Sequence, residues 1–114
     1  MDDCIFCKIV AGKIPAKVVY EDDRALAFDD ISPQAPVHTL VIPKKHVPTI
    51  LDVTPDDHGL VGHLFKVAAG IAAKKGVDRK GFRLVMNTNQ DGGQTVFHMH
   101  LHILGGRSLH WPPG

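Results

Sequence analysis

The sequence predicts an α+β fold with an antiparallel sheet, and three observations carry that prediction. Short apolar runs are closed at close intervals by turn-forming residues, so strands follow one another through tight connections. One long stretch, 54–76, repeats its apolar residues at helical spacing between clear start and stop signals. Residues 98–104 alternate strictly between histidine and apolar side chains, which is the period of a strand with two unlike faces.

Taken in order, residues 4–11 place Ile5, Phe6 and Ile9 at helical spacing, with Asp3 as the expected N-cap and Gly12 as the stop. Pro15 ends any continuation. Val18-Val19-Tyr20 and Ala25-Leu26-Ala27-Phe28 then read as two strands of a hairpin turned at Glu21-Asp22-Asp23-Arg24. Pro33 and Pro36 stiffen the connection that follows, and Thr39-Leu40-Val41-Ile42 is a central strand closed by Pro43. Thr54-Pro55-Asp56-Asp57 opens a helix with a capping hydroxyl, Pro at the first position and two carboxylates at the positive end of the dipole. Leu60, Leu64, Val67, Ala68, Ile71 and Ala72 keep one face of it apolar as far as Gly76, long enough to cover one face of a small sheet. Phe82–Asn87 and His98–Leu104 are two further strands joined by the turn-rich Asn89-Gln90-Asp91-Gly92-Gly93. Gly105-Gly106 releases the chain into a tail ending Trp111-Pro112-Pro113-Gly114.

The chain's 114 residues make one domain over 1–114 the expectation, and roughly 65% of the unfolded surface would be buried without disulfide staples. Thirteen Lys+Arg against twelve Asp+Glu leave a formal charge of +1, so no one-signed field collects a polyanion, and nucleic acid is not an expected partner. No apolar run approaches the ~20 residues that span a bilayer, and the Met-Asp-Asp-Cys start is acidic where a secretory leader is basic. A soluble cytoplasmic protein is expected, with no membrane partner.

Chemistry concentrates in His98-Met99-His100-Leu101-His102, where three imidazoles share one face of the strand. Neighbouring histidines stand roughly 6.7 Å apart at Cα, a spacing that suits positions along a phosphate or two ligands of one metal. Three readings follow: surface histidines on an edge strand, a His-x-His zinc site, or nucleophilic catalysis at phosphorus. The third has one neutral imidazole attack while its neighbours hold phosphate oxygens or supply protons. Gly92-Gly93-Gln94-Thr95 fits it, because glycines let backbone N–H groups approach phosphate and Thr95 adds a hydroxyl. Cys4-x-x-Cys7 has zinc half-site spacing; two inert core-facing thiols are the main alternative, and a redox pair is disfavoured because no βαβ pattern precedes the cysteines.

His98-x-His100-x-His102-Ile103-Leu104 resembles the motif that names the histidine-triad superfamily. Asp30-Ile31-Ser32-Pro33-Gln34-Ala35-Pro36, His38-Thr39-Leu40-Val41-Ile42-Pro43-Lys44, Asp91-Gly92-Gly93-Gln94, Gly105-Gly106-Arg107 and Trp111-Pro112-Pro113-Gly114 look like its Hint branch, the histidine-triad nucleotide-binding proteins. The resemblance runs over nearly the whole chain. It implies a five-stranded antiparallel sheet with one long and one short helix, continued across a homodimer. It also implies hydrolysis of purine nucleoside 5′-phosphoramidates of the AMP and GMP type, and of aminoacyl-adenylates, with no metal in catalysis.

By position, the resemblance makes His100 the nucleophile that forms a covalent nucleotidyl-histidine. His102 lies near the phosphate, His98 supports the strand, and His38 joins the cluster from the neighbouring strand. Asp30 matches the ribose-hydroxyl acceptor, Ile31 and Phe28 the apolar walls of the base site, and Asn87 a polar contact on the ribose or phosphate side. Gly93, Gln94 and Thr95 match the loop around the α-phosphate; Thr95 stands where relatives often carry Ser, and its β-branch stiffens the rotamer. Trp111 is implied to shape the leaving-group side of the partner's pocket. Cys4 and Cys7 resemble those of members that hold a structural zinc, with His46 and His98 completing the set. Two other functions fit the same pocket: a purine-nucleotide-binding regulatory module without turnover, and a dinucleoside polyphosphate hydrolase. Lys44-Lys45, His58, His63 and His110 read as solvated surface.

Overall fold

The computed structural model describes residues 3–114, so the acidic Met1-Asp2 start lies outside it. Its elements run α1 (Ile5–Val10), β1 (Val18–Glu21), β2 (Ala25–Asp29), β3 (Val37–Pro43), α2 (His58–Lys74), β4 (Phe82–Val85), α3 (Asn89–Gly92) and β5 (Leu101–Gly105). The strands form one five-stranded sheet in the order β1-β2-β3-β5-β4, every neighbouring pair antiparallel. That is the expected fold class.

Alternation along the strands divides the core into two layers. Ala25, Ala27, Val41, Leu101 and Ile103, with Met99 just before β5, face α2 and meet Leu64, Val67, Ala68, Ile71 and Ala72. Leu26, Phe28, Leu40 and Ile42 face the other way and are covered by Phe6 of α1. All six apolar positions expected on α2 are buried. At roughly 1.5–3 kcal/mol for each large apolar side chain removed from water, these layers hold the sheet between the two helices.

Local chemistry moved several boundaries. Cys4, not Asp3, caps α1, and its sulfur accepts the Cys7 N–H at 3.3 Å. Gly12, at φ +75°, ends that helix as expected. Thr54 makes no capping hydrogen bond, and Pro55–Asp57 form a 3-10 turn before α2 begins at His58. An unforeseen capping box, Thr49 with Asp52, starts a second 3-10 turn at Ile50–Asp52. His63 is no surface bystander: its Nε2 lies 2.6 Å from Asp22 Oδ2, tying α2 to the β1–β2 turn. Lys44 and Lys45 pair with Glu21 and Asp57 at 2.6 and 2.8 Å.

The most consequential shift is at β5. The alternating stretch was expected to be strand from His98, but the ladder begins at Leu101, opposite Val41. Pro43 offers no N–H to pair with, and the Met99 N–H turns instead to Val47 O at 2.7 Å. Met99 and His100 therefore sit beyond the end of the ladder, while His102 stands within it. The apolar side chains still face α2, and the imidazoles remain on the α1 side.

Candidate functional site

The segment 98–102 delivers its three imidazoles into two clusters. His98 is fully buried, with Nε2 2.7 Å from Pro43 O. A carbonyl only accepts, so the ring proton sits on Nε2 and Nδ1 keeps its lone pair. That nitrogen faces the cysteines, 3.5 Å from Cys4 Sγ and 3.6 Å from Cys7 Sγ. His46 Nδ1 lies 3.2 Å from Cys7 Sγ, and one donor atom from each of Cys4, Cys7, His46 and His98 falls within 4.8 Å of the others. Two thiols and two imidazoles, one held in the ligating tautomer by a backbone carbonyl, suit a tetrahedral zinc ion. Burial, followed by the neighbouring Cys4 thiol, pushes the Cys7 thiol up.

His100 and His102 form the second cluster, with ring centroids 4.9 Å apart. His100 is buried, and its Nδ1 lies 2.9 Å from His98 O, so Nδ1 carries the proton and the lone pair sits on Nε2. No protein hydrogen bond engages that Nε2 among the described residues. Phe6 stacks edge-on against His100 at 5.1 Å, and this makes it the residue that sequence reasoning missed; its helical spacing indicated only core. Burial lowers the pKa of His100, against the raising effect of the His98 carbonyl and of Asp30. His98 is lowered by the same cause.

His38, from β3, completes this cluster. The Gln34 backbone N–H donates to His38 Nδ1 at 3.0 Å, which places the ring proton on Nε2. His38 Nε2–H in turn donates to His102 Nδ1 at 2.9 Å, with Asp30 Oδ2 3.5 Å from the same nitrogen. His102 must then carry its proton on Nε2, and that atom is buried with no hydrogen-bond partner. Burial first, then the His100 and His38 rings, push the His102 pKa down to about 4, so at neutral pH it is an uncharged donor. The site thus presents a bare imidazole lone pair on His100 beside an unsatisfied N–H on His102. An unpaired buried N–H costs free energy unless a ligand accepts from it.

The remaining expected site residues are not all brought to this pair. Asp30 and Ile31 line an open cavity of about 660 Å³ together with His38, Pro33 and Lys17. Ile31 is 99% exposed, an apolar side chain with nothing against it. Phe28 is buried beneath Phe6, 5.5 Å between rings, and so forms part of the floor rather than an open wall. Asn87 is half-buried just beyond β4. The loop expected to offer free N–H groups begins inside the short helix α3 at Gly92, and just beyond it Gly93 N and Gln94 N are bonded back to Gln90 O and Asn89 O. The Gln94 side chain is buried and also engaged, accepting from Asn89 N and donating to Pro48 O and Val96 O. Thr95 is exposed and lines a separate cavity with Cys4, His46 and Phe97. Trp111 is 82% exposed on a tail that Arg83 of β4 holds through His110 O at 2.9 Å.

Known proteins share this fold. The purine nucleoside phosphoramidase of Escherichia coli K12 is 49% identical over 108 residues, covering 95% of this chain and 91% of its own. The crystal structure of a HIT family hydrolase from Legionella pneumophila superposes with a TM-score of 0.96 at 54% identity, over 98% of this chain and 100% of that one. A zinc-bound histidine triad family protein from Mycobacterium smegmatis matches at 36% identity and TM-score 0.79, over 93% of this chain and 76% of that one. A family model for the HIT domain matches residues 11–109, which take in the sheet, α2 and the whole histidine segment. With that match and these relatives, the chain belongs to the HIT domain family.

Proposed function

We propose that this protein is a hydrolase of purine nucleoside 5′-phosphoramidates that works through a nucleotidyl–His100 intermediate. The observation that carries the reading is the fixed proton arrangement: His98 O holds the proton of His100 on Nδ1, leaving Nε2 as an available nucleophile next to the unpartnered His102 N–H. The Nε2 lone pair of His100 forms a bond to phosphorus while the P–N bond of the substrate breaks. The His102 N–H hydrogen-bonds the leaving side as a neutral donor, and a proton drawn from solvent completes the departing amine. Water then attacks phosphorus and loses its proton to solvent; the P–N bond to His100 breaks and its lone pair is restored. Aminoacyl-adenylates fit the same sequence, with a carboxylate leaving in place of the amine.

Asp30 is the acceptor for ribose hydroxyls in this reading, and the exposed Ile31 is an apolar wall for the base. A 660 Å³ cavity lies within the range of ordinary small-molecule sites. Cys4, Cys7, His46 and His98 hold a structural zinc that ties α1 to the sheet, contributing stability and no reaction step. The two open sheet edges, β1 and β4, support a homodimer through edge pairing, which would also bring the exposed Trp111 to the partner's site.

The test mixes the protein with an adenosine 5′-phosphoramidate bearing a fluorescent amine, follows amine release, and maps early quenched samples by mass. Release with an adenylyl group on His100, both abolished in His100→Gly, is the expected result. Nucleotide binding without release would make the protein a binding module, and release without an adduct would replace the covalent route by direct water attack.

A further inference from the structure

The donor state of His102 is set by a chain of contacts that ends at the protein surface, and the residue at its end is Arg107. The Arg107 guanidinium donates twice to Gln34 O, from Nη2 at 2.9 Å and from Nε at 3.3 Å, and a third time to Ser108 O at 3.1 Å. Gln34 is the residue whose N–H occupies His38 Nδ1. Immediately before Arg107, Gly106 at φ +90° runs so close to the same loop that a Cβ there would stand 2.8 Å from Pro36 Cβ. The exit of β5 is therefore docked onto the 31–36 loop by a close backbone approach and by a charged fork on one carbonyl.

We propose that Arg107 is a positioning residue that fixes the tautomers of His38 and His102 by clamping the Gln34 backbone. The proposal rests on the hydrolase reading above for its catalytic consequence, but not for its structural part. With the Gln34 N–H on Nδ1, His38 can carry its proton only on Nε2, and His102 can only accept on Nδ1 and donate from Nε2. Release of Gln34 frees His38 Nδ1 to take the proton. His38 Nε2 then becomes the acceptor, His102 Nδ1 must donate, and His102 Nε2 presents a lone pair where the leaving group needs a donor. On each of the two histidines one N–H bond breaks and one forms, exchanged through solvent, and the proton count and charge stay the same. A guanidinium suits the task because its planar fork holds a carbonyl in one place with little further loss of freedom.

The experiment compares wild type, Arg107→Gln and Arg107→Lys as full-length proteins, reading the imidazole nitrogens by ¹⁵N NMR and the kinetics with two leaving groups. In wild type, Nδ1 of both His38 and His102 should resonate as an unprotonated nitrogen and Nε2 as a protonated one. Arg107→Gln should shift both pairs toward the average of the two tautomers and lower kcat for an amine leaving group about tenfold, with KM little changed. An adenosine 5′-p-nitrophenyl phosphate, whose leaving group departs without a proton, should lose much less. Arg107→Lys, which can reach the carbonyl with one bond, should restore part of both. Wild-type tautomers in Arg107→Gln, or equal losses for both leaving groups, would overturn the proposal. A wild type that shows these tautomers but no turnover would overturn the hydrolase reading and leave the clamp standing.

Discussion

Acidification from pH 8 to pH 4 exposes the neutrality of His102 as a change in stability. An unfolded chain gives this ring its ordinary pKa near 6.5, whereas the fold pushes it down to about 4. Between those values the unfolded state binds a proton that the folded state refuses, so stability is complete above pH 6.5 and is lost as pH falls toward 4. At about 1.36 kcal/mol for each tenfold change in proton affinity, the gap corresponds to a ceiling of ~3.4 kcal/mol. His102 is half-buried, and solvent at its edge brings the expected loss to about 2–3 kcal/mol. The assay is urea unfolding at fixed protein concentration across this range, for wild type and for His102→Gln. Subtraction cancels the titrating groups that His102 does not touch, His98 among them. The wild type should lose stability faster by the stated amount, with the curves parallel above pH 6.5. Curves that stay parallel down to pH 4 would mean that His102 titrates in the fold as it does in water, and the donor assignment would fall with it.

Phe6→Ala removes a buried ring from between Phe28, His98 and His100; it should cost about 3–4 kcal/mol in unfolding free energy and lower kcat, and a loss under 1 kcal/mol would show the ring to be dispensable. Metal analysis of untagged protein should find one zinc per chain, lost in Cys4→Ser together with several degrees of melting temperature but with most of the activity kept; unchanged metal in that variant would refute the assignment. Deletion of 108–114 should change the preference among leaving amines more than nucleotide affinity, and uniform losses for every amine would count against a role for Trp111. Sedimentation at micromolar concentration should show a dimer, and a monomer would remove the edge-pairing argument.

What could be read from the sequence is what side-chain type and spacing determine. The buried face of α2 follows from six apolar residues at helical intervals, and the division of 98–104 into an apolar and an imidazole face follows from alternation. The cysteine pair was matched to His46 and His98 through the family resemblance, and one donor atom of each of the four lies within 4.8 Å of the others. Backbone commitments were less legible, since every residue but proline offers the same groups. Asn89-Gln90-Asp91-Gly92-Gly93 has turn composition, yet it closes into a helical turn because Gln94 turns back to accept the Asn89 N–H and bind Pro48 O. Nothing in residue type marks Cys4 as a cap; its sulfur takes that place because α1 starts where the cysteine already faces His98.

The same distinction explains why three adjacent histidines of one motif differ in chemistry. A sequence pattern places imidazoles at equal intervals and treats them alike. The backbone then separates them: Pro43 O accepts from His98 Nε2–H and leaves the Nδ1 lone pair to the sulfurs, while His98 O accepts from His100 Nδ1–H and leaves the lone pair on Nε2. His102 receives its assignment from farther away, through His38 and the Gln34 N–H. A bare lone pair and an N–H donor on identical side chains can therefore stand with ring centroids 4.9 Å apart. The partition needs no charged group within the motif itself, because carbonyls and amides fixed by the fold decide which nitrogen of each ring carries the proton.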